Sequence, residues 1–132
     1  MKNNEIKKYD KKGNLIYYKK FKFEKWFEYD KNNNCVHCKD SYGFESWREY
    51  NENNKLVHYK DSNEFEYWKE YNNKCKVIHF KISSGYEEWY EYDERGNCVH
   101  VKSSDNYEKW YEYNDNNKLI RYKDSFGNEV FH

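Results

Sequence analysis

The chain has 132 residues, 36% of them charged, and its 24 basic and 24 acidic side chains leave no formal net charge. That balance removes the basic excess favoured by nucleic acids and anionic membranes, and no apolar run approaches the length of a membrane-spanning helix. Mean hydropathy is low at −1.51, yet sixteen Tyr, eight Phe and five Trp are too many for a disordered chain and supply the burial that aliphatic side chains usually provide.

The opening residues, Met1-Lys2-Asn3-Asn4-Glu5-Ile6-Lys7-Lys8, contain no apolar stretch of secretion-signal type, so a cytoplasmic location is expected. Tyr9-Asp10 followed by Gly13-Asn14 opens a short first repeat at about residues 5–25. Repeats then start at Trp26, Trp47, Trp68, Trp89 and Trp110, always 21 residues apart, and Phe131 falls where a sixth Trp would stand. A fixed spacing of this length marks stacked copies of one small unit, so residues 1–132 are expected to form a single array. Glu24, Glu45, Glu66, Glu87 and Glu108 stand two residues before each Trp, and Glu28, Glu49, Glu70, Glu91 and Glu112 two after. Tyr29, Tyr50, Tyr71, Tyr92 and Tyr113 follow, each leading into Asp or Asn.

Within a repeat, an aromatic run such as 44–50 and a second run such as 56–60, rich in β-branched and aromatic residues, read as two strands. The Asp/Asn, Gly and Lys residues between them tolerate the positive φ of a tight turn, clearest at Asp93-Glu94-Arg95-Gly96-Asn97. A second turn carries Ser41, Ser62, Ser83, Ser104 and Ser125. The fold class is all-β: tandem 21-residue β-hairpin repeats in a meandering antiparallel, twisted sheet of about eleven or twelve strands. A simple hairpin register sets Glu49 opposite Leu56, Trp47 opposite His58 and Glu45 opposite Lys60, all on one face, with Val57 and Tyr59 on the other beside Phe44 and Tyr50. Recurring Glu and Lys would then form a cross-strand ladder worth roughly 0.2–1 kcal/mol per pair.

Tyr9-Asp10 with Gly13-Asn14, and Tyr92-Asp93 with Gly96-Asn97, resemble the Tyr-Asp and Gly turn of the bacterial YD or RHS repeat, a family with repeats of similar length. The likeness covers nearly the whole chain at the level of the repeat, although Tyr50, Tyr71 and Tyr113 are followed by Asn and most repeats lack the Gly. It implies β-hairpins coiling into a sheet spiral and an association with polymorphic toxin systems. The Trp-Tyr-x-Tyr runs at Trp89 and Trp110 are also similar to the aromatic repeats of choline- and glucan-binding surface modules.

His37, His58, His79 and His100 share one repeat position. Equivalent residues two strands apart lie roughly 9.5 Å from one another, whereas zinc ligands sit about 2 Å from the ion, so ring packing beside Trp with partial exposure is expected and no metal or cofactor site is read. In Cys35-Val36-His37-Cys38 the two thiols should face opposite sides of a strand, and Cys35 and Cys98 read as small buried apolar residues. The Glu rows recur in every repeat, which suits a structural ladder and not a catalytic carboxylate pair, so no catalytic residue is assigned.

Repeat arrays without a singular site work as binding surfaces. Next to the fixed Trp and Glu, the varying positions Phe27, Arg48, Tyr67, Lys69, Glu88, Tyr90, Lys109 and Tyr111 are the candidate partner-binding residues. The reading is a non-catalytic protein-binding module; the YD likeness extends it to an immunity protein that blocks a toxin's active site. The alternative is an aromatic carbohydrate- or cell-wall-binding repeat protein. No nucleic acid or membrane is expected, and self-association through terminal edge strands is a third possibility.

Overall fold

The computed structural model describes residues 4–132, among which there are thirteen strands and no helix. They are β1 (Glu5–Tyr9), β2 (Leu15–Lys20), β3 (Phe23–Tyr29), β4 (Cys35–Asp40), β5 (Glu45–Tyr50), β6 (Leu56–Asp61), β7 (Glu66–Tyr71), β8 (Val77–Ile82), β9 (Glu87–Tyr92), β10 (Cys98–Ser103), β11 (Glu108–Tyr113), β12 (Leu119–Asp124) and β13 (Glu129–Phe131). Within each of the two units described next, hydrogen-bonded neighbours follow chain order. The count exceeds the expected eleven or twelve because the repeat register runs on into the three-residue β13 at Phe131. Two compact units divide the chain, one up to Tyr67 and one from Trp68 onward. In the first, β1 to β6 form an antiparallel meander; in the second, β8 to β13 do the same.

Strands end where an Asp or Asn side chain captures the backbone. In the loop 30–34, Asp30 Oδ1 accepts the N–H groups of Asn32 and Asn34 at 2.9 and 3.0 Å, and Asn33 takes φ 65°. The loop 40–44 uses the same device: Asp40 accepts from Tyr42 and Phe44 at 2.8 and 3.1 Å, with Gly43 at φ 90°. This is the self-bonding that makes Asx residues turn formers. In the first repeat four residues separate the partners Lys19 and Glu24, where five separate Lys39 and Glu45, which accounts for its missing residue.

The simple register is corrected by a bulge. In the β5–β6 hairpin Tyr50 pairs with Leu56 but Glu49 pairs with His58, so Val57 is an extra residue with no partner across the ladder. The same shift occurs between β3 and β4, β9 and β10, and β11 and β12. It moves Trp47 opposite Lys60, while its histidine partner becomes His37 on the preceding strand, and Glu45 faces Lys39 in place of Lys60. A β-bulge adds one residue to one strand and flips the alternation beyond it. For the same reason Cys35 and Cys38 share a face: they pair with Tyr29 and Phe27, which lie on the same side of β3.

Two unlike faces result. One carries Trp, both recurrent Glu, His and Lys; the other carries Tyr29, Tyr50, Tyr59 and their equivalents with the candidate partner-binding positions. Burial is one-sided. Cys38, Ser46, Asp61, Ser103 and Asp124 are buried on the tyrosine face, whereas all five Trp keep 36–40% of their surface exposed.

Candidate functional site

On the tryptophan face each histidine is the hub of a repeated cluster. His37 sits with Nε2 2.7 Å from Glu45 and Nδ1 3.4 Å from Glu28, and its ring lies 5.5 Å from Trp47 at an interplanar angle of 14°. His79 and His100 repeat this, stacking on Trp89 and Trp110 at 5.3 and 5.5 Å and meeting Glu87 and Glu108 at 3.1 and 2.8 Å. His58 meets Glu66 at 2.7 Å and Glu49 at 3.6 Å. In the last repeat Arg121 takes the slot, reaching Glu112 at 3.3 Å and Glu129 at 2.6 Å. The expected ring packing beside Trp is what these residues do. The recurrent Glu before each Trp turns to the imidazole more than to the lysine across the ladder, though Lys19 does meet Glu24 at 3.2 Å.

Three further kinds of bond recur between hairpins. The tyrosines that close β3, β5, β9 and β11 send their hydroxyls to a backbone carbonyl of the preceding hairpin: Tyr29 to Leu15 at 2.8 Å, Tyr50 to Cys35 at 3.0 Å, Tyr92 to Val77 at 2.6 Å and Tyr113 to Cys98 at 3.0 Å. Burial raises the pKa of all four phenols, keeping them neutral donors. Ser104 donates its N–H to the Glu87 carbonyl at 2.9 Å, and its Oγ accepts the Glu87 N–H at 3.0 Å, as Ser41, Ser62 and Ser125 do for Glu24, Glu45 and Glu108. Across successive turns, Asn14, Asn34 and Asn97 donate Nδ2–H to Asn33, Asn54 and Asn117, each at 2.9 Å.

That last ladder explains a pairing within the chain. Where a turn opens with Asp10, Asp30 or Asp93, Asn stands four residues on; where it opens with Asn51, Asn72 or Asn114, Lys does. The second Asp oxygen accepts from the Asn amide at 3.1–3.2 Å, a bond that an opening Asn could not accept through its own NH2. These donated hydrogen bonds, the backbone N–H of the Asn foremost, hold the Asp10, Asp30 and Asp93 carboxyls below their usual pKa.

The candidate partner-binding residues all fall on the tyrosine face and are half-buried. Arg48 lies 5.1 Å from the Tyr59 ring and donates to Ser46 at 3.1 Å; Tyr67 stacks on Tyr59 at 5.1 Å. Glu88 accepts from Tyr86 at 2.6 Å and from Tyr90. Tyr111 packs on Tyr122 at 5.4 Å, Lys109 lies over Tyr107 and Phe27 beneath Lys25. Lys69 occupies the same slot on β7. Cys35 and Cys98, expected to be buried, are half-buried, and it is Cys38 that is buried; burial raises the thiol pKa of Cys35 and Cys98, which disfavours the reactive thiolate. Among the described residues no cluster of His, Cys, Asp and Glu could hold a metal ion.

The sequence model of the Teneurin YD-shell family matches residues 1–131. This chain belongs to the YD-shell family. Solved structures of similar fold include TcdB2-TccC3-Cdc42, at 17% identity and TM-score 0.75 over 89% of this chain and 7% of that one. TcdB2-TccC3 without its hypervariable C-terminal region aligns equally, at 17% and 0.75, again over 89% and 7%. The Photorhabdus luminescens Tc holotoxin pore with a substituted TccC3 aligns at 14% and 0.62 over 96% of this chain and 9% of that chain. The YD-shell chain described here thus spans less than a tenth of the length of these relatives. No curated protein matches it. In this YD-shell sheet the signature dipeptide has a physical content: Tyr locks one hairpin to the previous one, and Asp closes the next turn.

Proposed function

We propose that this YD-shell chain is a non-catalytic, cytoplasmic protein-binding module whose tyrosine face seats a protein partner, in its sharpest form a toxin domain whose active site it covers. The observation that carries the reading is the segregation of constant from varying side chains. His, Glu and Ser spend their polar groups on bonds repeated from one hairpin to the next and Trp stacks on the histidine, whereas the varying positions gather on the tyrosine face. There Arg48, Tyr67, Tyr90 and Tyr111 are already held by neighbouring rings or hydrogen bonds, so little side-chain entropy remains to be lost on binding. Tyr and Arg in such settings are the residue types that dominate protein interfaces. The relatives of similar fold are components of toxin complexes, which favours a protein partner of that class.

The sugar-binding alternative needs open ring faces. The rings of Trp47, Trp89 and Trp110 each have an imidazole stacked on one face, and Lys123 lies 5.9 Å over Trp110, so each ring has already given one face to its own sheet.

The test is affinity capture with tagged protein and the co-expressed product of the neighbouring gene. A single protein held stoichiometrically through high salt, and released by Arg48→Ala with Tyr67→Ala, supports the reading. Retention of cell-wall polysaccharide with no protein overturns it.

A further inference from the structure

We propose that a cleft recurring at Ile16 and at Ile78 receives an apolar side chain of the protein partner, one that stands beside a carboxylate in the partner's chain. This rests on the tyrosine-face reading and deepens it by naming the chemistry of what that face receives.

A cleft of this kind stands in each compact unit, built from two successive hairpins. In the second unit a space of about 470 Å³ lies between the turn 72–76 and the end of β9, with Ile78 and Tyr90 among its walls. In the first, about 690 Å³ lies between the turn 10–14 and the end of β3, with Ile16 and Phe27 in the same two places. Both volumes suit a small ligand or a large side chain.

The local sequence builds the cleft. Ile16 is the extra residue of the bulge between β1 and β2, and Ile78 stands 21 residues after Val57, the extra residue between β5 and β6. Two cross-ties then fix the width. Tyr92 reaches back to the Val77 carbonyl at 2.6 Å, and Lys74 Nζ reaches forward to the Glu94 carbonyl at 3.0 Å. Tyr29 and Lys12 do the same, to the carbonyls of Leu15 at 2.8 Å and Lys31 at 3.2 Å. Lys12 and Lys74 stand third in their turns, where the other four turns have Asn or Arg. A cleft held open before binding leaves less to be ordered when it is filled.

The charge at the mouth is positive by elimination. In the second unit the Asp93 carboxylate accepts from Arg95 and Asn97, and Glu91 turns to His100 at 3.6 Å. Lys74 and Lys76 are left facing the cleft. Gly96 makes room for the Lys76 stem, whose Cε comes within 3.7 Å of where a Cβ would stand. In the first unit Asp10 and Asp30 are likewise closed into their turns, Glu28 turns to His37 at 3.4 Å, and Lys11, Lys12 and Lys31 remain. An apolar wall beneath ammonium groups is complementary to an apolar side chain next to a carboxylate. A segment of the protein partner is the occupant because Tyr90 and Phe27 belong also to the varying positions of the tyrosine face, which makes cleft and face continuous.

The experiment titrates the peptide acetyl-Asp-Leu-Asp-amide into the full chain and follows the δ1-methyl signals of its five Ile residues by NMR. Expected are saturable shifts at Ile16 and Ile78 with a Kd of about 1 mM, and none at Ile6 or Ile82. Lys76→Glu weakens the Ile78 response about fivefold, since an exposed ion pair gives way to like charges. The same variant leaves Ile16 unchanged and makes acetyl-Lys-Leu-Lys-amide the better ligand at Ile78, with the Ile6 and Ile82 signals reporting an intact fold. Equal shifts from the Lys-Leu-Lys or an Asp-Gly-Asp peptide on the unsubstituted chain, or none at about 10 mM, overturn the proposal. So does hexanoate binding as tightly as the peptide, which assigns the clefts to a free organic acid. Partner capture lost with Arg48→Ala and Tyr67→Ala but kept with Lys31→Glu and Lys76→Glu sinks this inference and leaves the tyrosine-face reading standing. No captured protein at all sinks both.

Discussion

Replacing Tyr92 by Phe tests whether the hydroxyl-to-carbonyl bond is what joins successive hairpins. The ring stays, so packing is conserved and only the 2.6 Å bond to the Val77 carbonyl is lost. A neutral hydrogen bond contributes about 0.5–1.5 kcal/mol net, and a carbonyl stranded away from water costs more. Here the site is half-buried and water can partly replace the phenol, so a loss of about 1 kcal/mol is expected. Tyr50→Phe, in the other compact unit with its bond at 3.0 Å, should cost about the same and add to the first, as distant sites do. Tyr9 is an internal control: it has the same Tyr-Asp context but lies 56% exposed on the edge strand β1, and Tyr9→Phe should stay within about 0.5 kcal/mol. Urea unfolding at constant m-value reads the differences, and in a melt each kcal/mol corresponds to roughly 3–6 °C for a chain of this size. If Tyr92→Phe and Tyr9→Phe are equally stable, the tyrosine acts through its ring alone and the reasoning fails.

Glu64 and Cys75 hold φ of 66° and 60° at turn positions where other repeats place Gly or Asn; Glu64→Gly and Cys75→Gly should each stabilise by about 0.5–1 kcal/mol, read by urea unfolding, because the left-handed strain outweighs the entropy of Gly. Acid sensitivity follows from the lowered carboxyl pKa values of Asp10, Asp30 and Asp93: their contribution is complete above the unfolded Asp value of about 3.9 and is lost as pH falls through the lower folded values. Asp93→Asn with Asn97→Lys, the combination used at Asn72 and Lys76, should therefore flatten the stability profile below pH 4, and an unchanged profile would refute this. His79→Ala loses the Glu87 bond and the Trp89 stack and should cost about 1–2 kcal/mol. His79→Arg should cost less, since Arg121 already fills that slot between two carboxylates; Trp fluorescence during denaturation distinguishes the two.

Much of the architecture was legible because the code is local. Five Trp at one spacing, alternating strand runs and Asp- or Asn-led turns specify hairpins without long-range information. The stacking of histidine on a Trp was legible too, but not which Trp nor the two Glu carboxylates that flank the ring. The register was not: one inserted residue such as Val57 looks like any other strand residue, yet it moves Trp47 from His58 to Lys60. The Ser and Tyr bonds were hidden for a related reason, because their partners are backbone atoms that carry no sequence signature.

By itself, then, the sequence determined the repeat, its strands, its turns and the likeness to YD proteins, all consequences of side-chain chemistry within about twenty residues. Which face each residue occupies was decided only in three dimensions. The bulge resets the alternation, and the positions that differ between repeats gather on the half-buried tyrosine face while the Trp, His and Glu clusters remain on the wetter one. A strand alternates with period two, so a single extra residue reverses every assignment beyond it, and only the pairing of the backbone shows where that residue lies.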